Sequence, residues 1–205
     1  MVVTRPGLTT TVRGEPRTDA DVIAESYRRP DVFAVLYERY ADALYRYAGR
    51  RLGAQAAEDV IADTFLSAFT HRHTYDPQRP DARPWLFGIL TRAIARHFRT
   101  EQARYRALTR VPAEQPVDDS ADRVAATVTA SASRGRLAAA LRDLPPEDRD
   151  VLLLYAWAQL TYEQIAQTLD IPVGTVRSRL HRVRRRLRER FDGRDPMSME
   201  ETDDV

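Results

Sequence analysis

Between Gly174 and Arg190 the sequence sets eight arginines against a single acid, Glu189. A guanidinium stays charged at any physiological pH, and its planar fork of donors fits phosphate oxygens and the edge of guanine. Numbered as a helix, the stretch puts Thr175, Ser178, His181, Arg182 and Arg185 on one face, flanked by Arg177, Arg179 and Arg186. Val176, Leu180, Val183 and Leu187 recur at i, i+4, i+7 and i+11 on the opposite face, which is the one that packs. The acids of an i,i+4 ladder are missing from the segment, and like charges so spaced repel unless a polyanion lies opposite. The chemistry expected here is nucleic-acid binding; the plain alternative is a solvated face.

Three other groupings could do chemistry. Arg92, Arg96, His97, Arg99, Arg104 and Arg106 are interleaved with Trp85 and Tyr105, a composition that tracks a phosphate backbone and stacks on unpaired bases. A basic solvated helix with its tryptophan in the core accounts for that segment equally well. Glu58, Asp59 and Asp63 form an acidic face. Adjacent helical carboxylates do not converge on one substrate atom, so this face is either solvated or a dock for a basic partner, and not an acid–base pair. His71 and His73 point apart on a fraying helix end with no third ligand nearby, so no metal site is expected. There is no glycine-rich phosphate loop, no nucleophile motif and no cysteine. The expectation is therefore no catalytic residue, no cofactor and no enzyme activity.

The elements that must position these groups read as helices throughout. Thr161 caps a helix to about Leu169, Pro172 blocks its continuation, and the arginine helix begins near Gly174: a helix-turn-helix. Ahead of it, the apolar run of EDRDVLLLYAWAQL must be buried beneath the pair, and a short helix over 134–143 precedes that. In the first half, Phe33, Leu36, Tyr37, Tyr40, Leu44 and Tyr47 make a stripe from Pro30 to Leu52, taken as core, with Gly53 as the stop. Further helices are expected from Asp19 or Asp21 to Tyr27, from Ala54 to His71 and from Trp85 to Leu108, with a proline-broken loop over Thr74 to Pro84. The fold class expected is all-α: two small helical domains, 20–108 and 134–193, joined by an acidic linker over 109–133 and flanked by disordered tails at 1–19 and 194–205. The net charge is only +2, all 32 basic residues are arginine, and no apolar run approaches the 18 residues of a membrane span. A cytoplasmic protein without membrane insertion is expected.

Three blocks, in order, resemble the extracytoplasmic-function sigma factors, the minimal two-domain class of bacterial RNA polymerase initiation subunit. They are FAVLYERYADALYRYAGRRLGAQAAEDVIADTFLSAF, RPWLFGILTRAIARHFR and LPPEDRDVLLLYAWAQLTYEQIAQTLDIPVGTVRSRLHRVRRRLRE. The resemblance implies that Glu58, Asp59, Ile61, Asp63, Thr64 and Phe65 bind the clamp helices of the largest polymerase subunit. It implies that Arg83, Trp85, Arg92, Arg96, His97 and Arg99 recognise and open the −10 element. It implies that Thr175, Arg177, Ser178, Arg179, His181, Arg182 and Arg185 read the −35 element, with this domain set against the flap of the second-largest subunit. Promoter DNA, core RNA polymerase and an anti-sigma factor are the partners so implied, and the linker would thread polymerase channels.

Four positions depart from the family pattern. Ala62 stands where glutamine is frequent, Arg92 where asparagine is, and Arg96 where aspartate is. Arg92 and Arg96 imply either more backbone contact at the −10 element or a different −10 sequence. Asp170 replaces the usual turn glycine, which aspartate tolerates because it can adopt left-handed geometry. The competing function is a stand-alone helix-turn-helix regulator with an N-terminal dimerisation or sensing domain; it leaves the acidic face and the arginine–aromatic helix without a role.

Overall fold

The computed structural model describes residues 17–109 and 132–191. Most of the expected linker and both tails lie outside these residues. Among the described residues every regular element is helical.

Helix α1 spans Asp19–Glu25 and starts in a capping box: the Thr18 hydroxyl accepts from the Asp21 N–H, and the Asp21 carboxylate accepts from the Thr18 N–H. A 3-10 turn at Pro30–Phe33 leads into α2, Ala34–Leu52, so the expected single helix from Pro30 begins as a tighter turn. Gly53 separates α2 from α3, Ala54–Thr70, with φ of 81°, a conformation that glycine alone adopts at little cost. The two helices run antiparallel, with Phe33 edge-on to Phe69 at 5.3 Å. Tyr37 corrects the stripe: it is 53% exposed and lies against Phe65, because α2 meets its neighbours along a narrower strip than the spacing suggested.

Asp19 ties the first half together. Its carboxylate is buried and accepts from Arg39 at 2.5 Å, from the Ala82 N–H at 2.8 Å and from the Tyr40 hydroxyl. A buried carboxylate must be paired in this way to offset its desolvation. The anchored segment leads into α4, Arg83–Thr109, two residues earlier than expected because Pro84 is accommodated in the first turn, where no N–H is needed. Leu86, Phe87, Leu90 and Ile94 of α4 are fully buried against α2 and α3, each contributing on the order of 1.5–3 kcal/mol by leaving water.

In the second half, α5 covers Ala132–Arg142 and α6 Pro146–Ala156. The Arg149 guanidinium, buried, donates to the carbonyls of Leu141, Arg142 and Leu144 at 3.0–3.1 Å. It thereby satisfies carbonyls at the α5 end that the helix leaves unpaired. The expected α6 run is shorter than the sequence suggested: it ends at Ala156, and Gln159 turns with φ of 52° before α7, Tyr162–Leu169. Thr161 caps α7 in a box with Gln164, and Asp170 closes it in the left-handed region at φ 53°, ψ 52°. Helix α8, Val173–Arg190, follows Pro172 directly, and Val176, Leu180, Val183 and Leu187 are all buried.

The two halves are packed together. Thr168 of α7 donates its hydroxyl to the Pro84 carbonyl at 3.1 Å, and Gln164 donates to Asp81 at 3.0 Å. Gly88 of α4 faces the Thr168 carbonyl so closely that a methyl group there would sit 2.9 Å from it. One contiguous apolar core runs through both halves. Nothing in the local pattern signalled this packing.

Candidate nucleic-acid and polymerase interface

Helix α8 presents Arg177, Ser178, His181, Arg182 and Arg185 to solvent, with Thr175 and Arg179 half-buried at the margin. The Ser178 hydroxyl donates to the Thr175 carbonyl at 3.0 Å, which holds it against the helix. The reading of the arginines as uncompensated needs correction. Four of the eight have an acidic partner: Arg179 and Arg182 lie 4.0 and 3.2 Å from Asp148, Arg185 lies 3.7 Å from Glu189, and Arg190 pairs with Asp143. Three of these four pairs use acids from outside the segment, brought in by α6 and the turn before it. Arg184 stacks over Tyr155 at 5.5 Å. Arg177 and Arg186 are exposed and make no ion pair among the described residues.

Helix α4 places Arg92, Arg96 and Arg99 at i, i+4 and i+7, all exposed and on one face. His97 is half-buried beside them; its Nε2 is buried without a hydrogen-bond partner and its ring meets Phe98 edge-on. Trp85 is half-buried, packed edge-on against Tyr75 at 5.2 Å, so its ring caps the joint between loop and helix. Arg83 is engaged elsewhere: it donates to the Ala158 carbonyl at 2.6 Å, across the seam between the halves. The −10 set is thus divided between a free arginine row and an N-terminal end held by the second half.

Helix α3 exposes Glu58, Asp59 and Asp63 together with Leu66, which is 64% exposed. Ile61, Thr64 and Phe65 are buried at 6%, 0% and 8%, and Thr64 donates its hydroxyl to the Val60 carbonyl at 2.7 Å. Those three shape the helix from inside; of the six residues expected to meet polymerase, the three acids are the exposed ones. Across the fold, Arg51 pairs with Asp150 at 2.7 Å, a contact between residues 99 apart that sequence spacing carried no signal for. Among the described residues no cluster of His, Cys, Asp or Glu is arranged to hold a metal, and no helix is long and apolar enough to cross a membrane.

Family models match in two places: Sigma-70 region 2 over residues 36–104 and Sigma-70 region 4 over residues 134–187. The chain is 37% identical over 160 residues to the ECF RNA polymerase sigma factor SigE of Mycolicibacterium smegmatis, covering 75% of this chain and 59% of that protein. It is 34% identical over 154 residues to SigL of Mycobacterium tuberculosis, covering 75% and 85%, and 39% identical to the RNA polymerase sigma-E factor of Streptomyces avermitilis, covering 75% and 82%. Among solved structures, the fold is similar to CnrH in complex with the cytosolic domain of CnrY, with TM-score 0.60, 24% identity, and 85% of this chain and 97% of that one covered. It is also similar to the sigma factor RpoE in complex with the anti-sigma factor NepR from Bartonella quintana, with TM-score 0.53, 22% identity, and 82% and 98% covered.

Proposed function

Because the chain belongs to the ECF (extracytoplasmic-function) RNA polymerase sigma factors, we propose that it binds core RNA polymerase and directs initiation at a promoter set, without catalysing a reaction itself. The observation that carries this is the pairing, on one chain and in family order, of an exposed acidic α3 with an exposed arginine face on α8. A stand-alone regulator has use for the second surface only.

In this reading residues 20–108 hold the polymerase and the −10 element, and residues 134–193 hold the −35 element. The acids Glu58, Asp59 and Asp63 meet the clamp helices of the largest subunit. Thr175, Arg177, Ser178, Arg179, His181, Arg182 and Arg185 read the −35 element in the major groove, where one arginine bidentate to guanine discriminates by about 1–3 kcal/mol. Arg92, Arg96 and Arg99 run along the backbone of the −10 strand, and a non-template base leaves the stack. Its unstacking, a few kcal/mol, is offset by aromatic and backbone contacts, stacking alone being worth about 1–3 kcal/mol per base. Strand opening is thus driven by binding energy.

The place of action is the cytoplasm, with the polymerase. An anti-sigma factor is a further partner: one solved neighbour is held by a protein of that kind. The test is run-off transcription with purified core polymerase on promoters from the same genome. Specific transcripts are expected only when this chain is added; none on any promoter overturns the reading.

A further inference from the structure

We propose that Asp148 is a positioning residue for −35 recognition, aiming Arg179 and Arg182 on α8; this rests on α8 being the −35 reader. Asp148 occupies the first turn of α6, where a carboxylate is favoured by the free N–H groups of the helix start. Such residues are ordinarily solvated. This one is 3% exposed, sealed beneath α8. A carboxylate taken out of water has to be paired, and the cations nearest it are Arg182 Nε at 3.2 Å from Oδ2 and Arg179 Nε at 4.0 Å from Oδ1.

The two arginines are three residues apart, so both lie along one side of α8. Asp148 engages them through Nε, the root of the guanidinium. The closest approach is at Nε, so the terminal Nη groups, the ones with fork geometry, form the outer end of each guanidinium. The Arg182 side chain is 46% exposed and that of Arg179 22%. No N–H is aligned on Oδ2 as a hydrogen bond, so the contact is one of charge and proximity and the guanidinium keeps its donors. Arg177 and Arg186, by contrast, have no acid at their roots. Arg177 and Arg186 are thus left to orient themselves, whereas Arg179 and Arg182 lie against a buried carboxylate that sets their direction. A held guanidinium loses less rotamer freedom on meeting a base edge, and one held back from the backbone contributes less to sequence-independent binding.

The test compares Asp148→Asn with Glu147→Gln in the full chain, using promoter and scrambled duplexes over a salt series. Glu147 is the exposed neighbour, so both variants remove one negative charge from the same turn. Asp148→Asn is expected to lower the ratio of promoter to scrambled affinity about tenfold. It is also expected to steepen the salt dependence by about one counterion, because a released arginine finds a phosphate. Glu147→Gln is expected to leave the ratio unchanged. Equal effects of the two variants, or an unchanged ratio and slope in Asp148→Asn, overturn the proposal.

Should Asp148→Asn fail to fold, the Nε–H resonances of Arg179 and Arg182 in the unmodified protein decide. They are expected to be shifted by the nearby carboxylate relative to that of Arg177, and coincidence of all three overturns the proposal. Arg177→Ala separates this claim from the one beneath it. If that variant also leaves promoter affinity unchanged, α8 is not the reader and the proposed function fails at that point. If it weakens promoter binding while Asp148→Asn does not alter the ratio, only the positioning role is lost.

Discussion

The guanidinium of Arg51, at the end of α2, lies 2.7 Å from the carboxylate of Asp150 in the second turn of α6, and the same nitrogen is 3.1 Å from the Tyr47 hydroxyl oxygen. Arg51 is 8% exposed, so this ion pair is shut between the two halves of the chain. Tyr47 and Asp150 hold the guanidinium in its charged form against the opposing pull of burial.

Reversing one partner should therefore part the halves. Asp150→Arg or Arg51→Glu alone leaves an uncompensated charge in the seam, a change that costs about 3–5 kcal/mol for a buried pair. Each single variant is expected to show a larger radius of gyration in solution scattering, and the double exchange to restore the parent value. Unchanged scattering in both single variants would show that the pair does not hold the seam.

Gly88 offers an uncharged way to the same end. A methyl group there meets the Thr168 carbonyl at 2.9 Å, and backbone cannot yield as a flexible side chain does. Alanine is also the better helix former, by about 1 kcal/mol. Gly88→Ala is thus expected to raise the stability of an isolated 17–109 fragment while expanding the full chain. Calorimetry on the fragment and scattering on the full chain check the opposite signs.

Alkaline pH should unfold the first half cooperatively. Burial pushes the hydroxyls of Tyr40, Tyr47 and Tyr75 up, reinforced for Tyr40 by its bond to Asp19 and for Tyr75 by the charges of Asp19 and Asp81. All three stay neutral in the folded chain at a pH where the unfolded chain ionises, near 10. Their contribution is intact below that pH and is lost as pH rises beyond it toward the folded values. Of the nine tyrosines, these three are expected to ionise in a late step at 295 nm, coincident with loss of helical circular dichroism. Smooth ionisation of all nine with the helices intact would contradict the burial of these hydroxyls.

The two binding surfaces should separate genetically. Asp59→Arg with Asp63→Arg is expected to weaken core-polymerase binding about tenfold or more while leaving promoter DNA affinity of the free chain intact. Arg177→Ala is expected to do the reverse, with a loss of about 1–3 kcal/mol confined to duplexes carrying the −35 element. Pull-down with core enzyme and anisotropy with labelled duplex read the two quantities.

What the sequence disclosed follows the range of the forces involved. Thr161, Asp170 and Pro172 act within one turn of themselves, and the Val176 to Leu187 face is periodic, so the helix-turn-helix could be read locally. Asp170 entered the left-handed region as its side chain permits. The partners of Arg179 and Arg182 could not be read, because Asp148 lies 31 and 34 residues away with no periodic link to them. Tyr37 failed for a related reason: spacing identifies a face, while the width of the neighbour decides how much of that face is covered. Burial likewise divides the set expected to meet polymerase, since a motif match does not distinguish Asp63, which is exposed, from Thr64, which is not.

The exposed positive charge of α8 is carried by arginine, and the sequence contains no lysine at all. Acetylation, the ordinary means of discharging a basic surface, requires a lysine amine. The arginine face of α8 therefore has no chemical dimmer of that kind. Its guanidinium charge persists through that modification, and covering the surface or setting negative charge beside it are ways left to weaken it.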